Sequence, residues 1–304
     1  MGKRRRILLA ALFLAAVVAM AWMLLSPRQP EPSYKGKPLG YWLEGYDPGN
    51  YKIAHPNGPA PPTDKEAGDA ILQIGTNAIP GLLRRLQVRE AKTTGIIVRL
   101  LQMQHIIDIP YANQNANFKA LKAFSVLGSQ ASNAVPQLIT LFERDHSAFI
   151  QTAVPEIFSE IGPAAEKATP VLLERGITHT NMMVRANTIF ALRRMNAEPK
   201  LILPALIKCL NDPDILVRAQ AVRTLGVSGG DAQPAVPALL ELWRKEPRTT
   251  PGAATISIDG TIVSTAWGAY SLGFGATSPP DVVKLTAEAL RAIDPEAAAR
   301  AAVK

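Results

Sequence analysis

Cysteine is nearly absent. The 304-residue chain carries Cys209 alone, which excludes a disulfide framework, a cysteine-based zinc site and an iron–sulfur cluster. Histidine is scarce as well: His55, His105, His146 and His179 fall at no short metal-ligand spacing, and neither HExxH nor CxxC occurs. No glycine-rich phosphate loop is present, so nothing in the pattern calls for a cofactor or a metal. Aromatic residues make up 6% and charged residues 19%, yet the 47% hydrophobic content excludes wholesale disorder. The net charge of +8 is mostly local. Lys3, Arg4, Arg5, Arg6 and Arg28 supply five charges, leaving 28 basic against 25 acidic residues (+3) for the rest. A body so nearly neutral gives no electrostatic case for nucleic acid.

What the chain does contain begins with a run of nineteen uncharged, almost wholly apolar positions, Ile7 to Leu25. As a helix it spans about 28 Å, close to the hydrocarbon core of a bilayer. The preceding basic run predicts a signal-anchor over 1–26 with the transmembrane helix at 7–25 and the rest of the chain outside the cytoplasm. Ala19-Met20-Ala21 offers the alternative of cleavage after Ala21, giving a secreted or periplasmic protein. Residues 27–62 read as linker and leader, with Leu39, Trp42 and Leu43 at the spacing of a short amphipathic helix.

From residue 63 to 304 the chain repeats itself. Segments end at Gly75, Gly128, Gly162, Asn196 and Gly229, at intervals of 53, 34, 34 and 33, and each is followed by a proline: Pro80, Pro136, Pro170, Pro204, Pro237. Each unit reads as two helices. The first opens at proline, where the missing N–H has no helical partner; the second ends at Gly or Asn, where a positive φ is cheap. Thr63-Asp64-Lys65-Glu66 is a capping box at the start of the first second helix. Such pairs bury their apolar faces only by stacking, so the expected fold is an all-α solenoid. The long first interval places an insertion near 88–116. A second near 250–263 contains Ile258-Asp259-Gly260-Thr261, the signal of one small β-hairpin. Leu272-Gly273 aligns with Leu225-Gly226 as the end of a last second helix, and the final helix starts near Ser278-Pro279-Pro280-Asp281 with its prolines in the first turn.

Asp212-Pro213-Asp214-Ile-Leu-Val217-Arg218-Ala-Gln-Ala221-Val-Arg-Thr-Leu225-Gly226 resembles the turn and second helix of a HEAT repeat, and Val184-Arg185 through Ala191-Leu192 matches less completely. The resemblance covers about residues 63–295, and the leader is similar to those before HEAT arrays in exported, membrane-anchored bacterial proteins. It implies a HEAT-like, right-handed superhelix of helical pairs. It also implies a structural ladder along the stack, here Asp212, Asp214, Arg185 and Arg218, with Gln151 standing where the unit before would carry the arginine. The second helices of such proteins line the concave side.

Aligned on Val217 as position one, positions three, four, seven and eleven of the second helices point away from the apolar stripe. On that stripe the expected partner-binding residues are Asn187, Phe190, Arg194, Gln220, Arg223, Trp267 and Tyr270, with Lys119, Lys122, Glu156 and Glu160 in earlier units. Aromatic residues and arginines are the types that anchor protein interfaces. Catalytic signals are poor. Gly226-Val227-Ser228-Gly229-Gly230 fits the nucleophile-elbow pattern, but a helix precedes it and no histidine follows His179. His146 and His179, one period apart, read as exposed turn residues, and Cys209 as a small core residue. The expected function is therefore a membrane-tethered, non-catalytic interaction scaffold for a protein or peptide partner. The alternatives are a HEAT-like nucleic-acid-binding or DNA glycosylase-like protein, suggested by Arg84, Arg85, Arg89, Lys92 and Arg99, or a HEAT-like lyase or chaperone.

Overall fold

A computed structural model describes residues 31–55, 57–88, 115–246, 257–258, 261–262 and 280–301. It opens on an antiparallel hairpin, β1 (Ser33–Tyr34) with β2 (Lys37–Pro38), paired Ser33 to Pro38 and Tyr34 to Lys37. Lys35 and Gly36 close it with φ of 48° and 70°, the two positive values of a type I′ loop. The expected short helix follows as α1 (Leu39–Leu43) and buries Leu39 and Leu43. Trp42 Nε1 donates to the carbonyls of Tyr34 and Lys37 at 3.3 Å each, tying helix to hairpin. After α2 (Pro48–Ala54), Thr63 caps α3 (Asp64–Ile74) through the capping box expected there. Thr63 Oγ1 accepts from the Glu66 N–H at 3.2 Å, and Glu66 Oε2 accepts from the Thr63 N–H at 2.8 Å.

Helices then alternate: α4 (Ile79–Leu86), α5 (Ala116–Leu127), α6 (Val135–Arg144), α7 (Ala148–Ile161), α8 (Thr169–Val171) with a π turn at Leu172–Gly176, α9 (Met182–Arg194), α10 (Pro199–Cys209), α11 (Ile215–Ser228) and α12 (Val236–Lys245). A two-stranded hairpin, β3 (Ser257–Ile258) with β4 (Thr261–Ile262), flanks residues 259–260 as expected, and α13 (Val282–Ile293) and α14 (Pro295–Arg300) follow. The helices α3, α5, α7, α9, α11 and α13 lie side by side in sequence order, each packed on the next, which is the stack of an all-α solenoid. Phe124, Phe142 and Phe158, all fully buried, belong to one core that runs from Leu39 to Ala298.

The punctuation of the stack is visible in the backbone. Gly75, Gly128, Gly162 and Gly229 have φ between 51° and 69°, and Asn196 has 55°. At Gly162 φ is 69° and ψ is −141°, a region that a Cβ all but forbids. There is room for the atom, since an added Cβ would lie 3.7 Å from the Arg194 carbonyl oxygen. Gly162→Ala should therefore lose about 1–3 kcal/mol through backbone strain alone, read as a lower urea midpoint with an unchanged m-value.

After all four of these glycines the chain does not enter its next α-helix at once. It runs through 3-10 turns, a short one at Gly75–Ala78 and longer ones at Gly128–Ala134, Gly162–Ala168 and Gly229–Ala235. Ala131, Ala134, Ala165, Ala168, Ala232 and Ala235 are fully buried there, and the turns of the second and third units rest on one another. Small side chains let these turns approach. Pro80, Pro136, Pro170 and Pro237 then fall in the first turn of their helices, as expected. Pro204 does not. It lies inside α10, which starts five residues earlier at Pro199, because the chain after Asn196 skips the 3-10 turn.

The membrane placement is corrected: among the described residues no helix is long and apolar enough to cross a membrane. Residues 7–25, on which that expectation rested, lie outside the described residues, as do most of the insertion at 88–116 and the expected second helix ending at Leu272-Gly273. Among the described residues, α13 packs beside α11. Gly226 makes the approach close, since a Cβ there would come within 3.2 Å of the Ala289 Cβ. Asp281, and not a proline, starts α13: its Oδ1 accepts from the Lys284 N–H at 2.9 Å, and Pro280 stands outside the helix.

Candidate functional site

Three second helices, α7, α9 and α11, are each fastened to the turn before them by the residue at position two. Arg185 donates from Nη1 to the carbonyls of His179 at 2.8 Å and Thr180 at 3.0 Å. Arg218 does the same one unit on, to Asp212 at 2.9 Å and Pro213 at 3.1 Å. Gln151 keeps this grip in the preceding unit, donating to the carbonyls of Phe142 and Asp145 at 2.7 Å each. The arginines also reach forward. Arg185 forms a bidentate pair with Asp212, both contacts at 2.7 Å, and Arg218 pairs with Glu246 at 3.1 and 2.5 Å. Gln151 has no charge for such a rung. Asp212 is thus an acceptor between units, whereas Asp214 caps its own helix by accepting from the Leu216 N–H at 2.8 Å. Glu246 escaped the sequence reading because no Asp-Pro-Asp turn marks it.

The stripe of second-helix residues divides in two. Asn187 and Gln220, expected on the open face, are 3% and 0% exposed and are not on it. Position four faces the neighbouring helix in the stack. Asn187 Nδ2 crosses that boundary to the Thr152 carbonyl at 3.1 Å, one turn from Pro155, whose ring interrupts the hydrogen-bond ladder of α7. Lys119, at the same position in α5, is 4% exposed and gives its ammonium to Glu44 of the leader at 2.7 Å.

Positions seven and eleven stay accessible in every described second helix: Asp69 and Gln73, Lys122 and Val126, Glu156 and Glu160, Phe190 and Arg194, Arg223 and Val227, Glu288 and Ala292. Val227 is 72% exposed, an apolar side chain left largely open among the described residues. Arg193, at position ten, joins this set and was missed because its position belongs to neither list drawn from periodicity. Its guanidinium carbon stands 5.1 Å over the Phe190 ring. Burial and the neighbouring Arg223 and Arg194 charges hold Arg193 below the usual arginine range, and burial lowers Arg223 as well. Trp267 and Tyr270 lie outside the described residues.

The remaining chemical candidates resolve into structure. Ser228 of the elbow-like pattern is the last residue of a helix and donates to the Thr224 carbonyl at 3.0 Å. Burial pushes the Cys209 thiol up to about 11, so the side chain carries no thiolate at neutral pH. His179 Nδ1 accepts from the Asn181 N–H at 3.0 Å, within its own turn. Among the described residues no group of three or more His, Cys, Asp or Glu is placed to hold a metal ion. Of the basic cluster near residue 90, Arg85 is paired with Glu31 and Arg84 is exposed, while Arg89, Lys92 and Arg99 lie outside the described residues.

Residues 169–258 match the family described as HEAT repeats, a span that runs from α8 into the β3–β4 hairpin and includes both arginine rungs. The match supports a HEAT-repeat protein. No curated protein matches the chain.

Proposed function

We propose that this HEAT-repeat protein is a non-catalytic interaction scaffold that holds a protein or peptide partner along the open face of its second helices, the concave side of the superhelix. HEAT repeats commonly mediate protein–protein interaction and are generally non-enzymatic. The observation that carries the reading is the continuous accessible row at positions seven and eleven, with Phe190, Arg194, Arg223 and Val227 at its centre. Arginine and aromatic side chains on a rigid helical face are the residue types that anchor interfaces, because they bury much area at small conformational cost.

Photo-crosslinking side chains placed singly at Val227 and Glu288 on this face should yield adducts with one partner. The same groups at Gln137 and Lys208 in the other helix layer should yield none. Adducts from the outer positions alone would overturn the assignment of the face.

A further inference from the structure

We propose, resting on that reading, that the segment of the partner seated at the centre of the face is an acidic peptide, its carboxylates received by Arg193 and Arg194 beside the Phe190 ring. Arg85, Arg185 and Arg218 each meet a carboxylate of this chain. Arg193 and Arg194 meet none among the described residues, and the Arg193 Nε is buried without a hydrogen-bond partner. Burying a guanidinium beside like charges disfavours the fold unless something compensates it. The cluster shows that conflict, since Arg223 and Arg194 both act against the charge on Arg193. Two carboxylates from outside relieve it, and the planar fork of arginine suits them bidentately. The Phe190 ring, 5.1 Å from the guanidinium carbon, offers Arg193 a cation–π contact but no countercharge.

The neighbours on the face decide between classes of anion. Glu156 and Glu160 precede the arginines along the stack, and Glu288 follows them. A continuous phosphate backbone crossing these helices would run over carboxylates on both sides, whereas a peptide places its acidic residues only where the arginines stand. Its flanks should then be basic or neutral, meeting Glu160 and Glu288.

The test uses the full chain and a fluorescein-labelled peptide with a central Asp/Glu run and Lys flanks, read by anisotropy. Binding should be saturable, should weaken with salt, and should fall at least about tenfold for the Arg193→Gln/Arg194→Gln double variant. Arg144→Gln, on the other helix layer, should leave it unchanged. Arg193→Gln should not lower the melting temperature, because it removes a buried like charge; a clear loss of stability would make the arginine structural and overturn the proposal. It is overturned equally if the Asn/Gln version of the peptide binds as well, if the wild-type chain ignores the acidic peptide, or if a single-stranded oligonucleotide competes more strongly than the peptide. Adducts from Val227 that persist while the acidic peptide fails to bind would sink this partner chemistry and leave the scaffold reading standing.

Discussion

Asp212→Ala should lower the unfolding free energy by about 3 kcal/mol, the low end of the range for breaking a buried ion pair. Both Arg185 and Asp212 are about nine-tenths covered, with side-chain exposures of 12% and 9%. Removing the carboxylate strands a bidentate guanidinium between two units and deprives the Asp214 N–H of its 2.9 Å acceptor. Asp212→Asn should cost less, because an amide oxygen still accepts. Glu241→Ala should leave the urea midpoint where it was, since its pair with Lys245 is solvent-exposed. Equal losses for Asp212→Ala and Glu241→Ala would show that the rung adds nothing beyond surface charge.

The sequence disclosed what is local to one unit. Glycine and asparagine at helix ends, prolines in first turns and the Thr63 capping box are each fixed by backbone chemistry within a few residues, and the repeat displays them several times. What it obscured is contact between units. Periodicity on a single helix sorts residues by burial against one partner, but a helix in a stack has a neighbour on each side. Asn187 and Gln220 look exposed in the first sense and are buried in the second. A signal did exist: Ala186 and Ala219, at position three of the same helices, are small and fully buried, as a close helix–helix approach requires. Nothing near Lys119 in sequence announces its burial, because Glu44 lies 75 residues away. The hairpin at Lys35-Gly36 was missed for want of the usual Asn-Gly or Asp-Gly pair, although both residues adopt the positive φ such a turn needs. The packing of α13 on Gly226 of α11 likewise brings together residues 63 apart in the chain, Gly226 and Ala289, a contact that no pattern within either segment announces.

Phe158→Ala should be the most destabilising single change, at about 3–5 kcal/mol, from lost transfer energy together with the cavity left behind. Phe158 is fully buried near the end of α7, which packs on both α5 and α9, so the cavity would open at a joint of three units. Its own helix resists collapse: Ile157 and Ile161 are themselves almost fully covered, and the helix ends at Gly162 in a strained conformation. In a stack of nearest-neighbour contacts the damage should be uneven. Amide exchange in α5, α7 and α9 should accelerate by a large factor, while α13 and the α11–α13 contact lose much less protection. Uniform acceleration from α3 to α13 would mean that the array unfolds as one cooperative body and that coupling between units exceeds the stability of each. Protection lost only within α7 would mean that the joint transmits almost nothing, and the arginine rungs could not then be coupling one unit to the next.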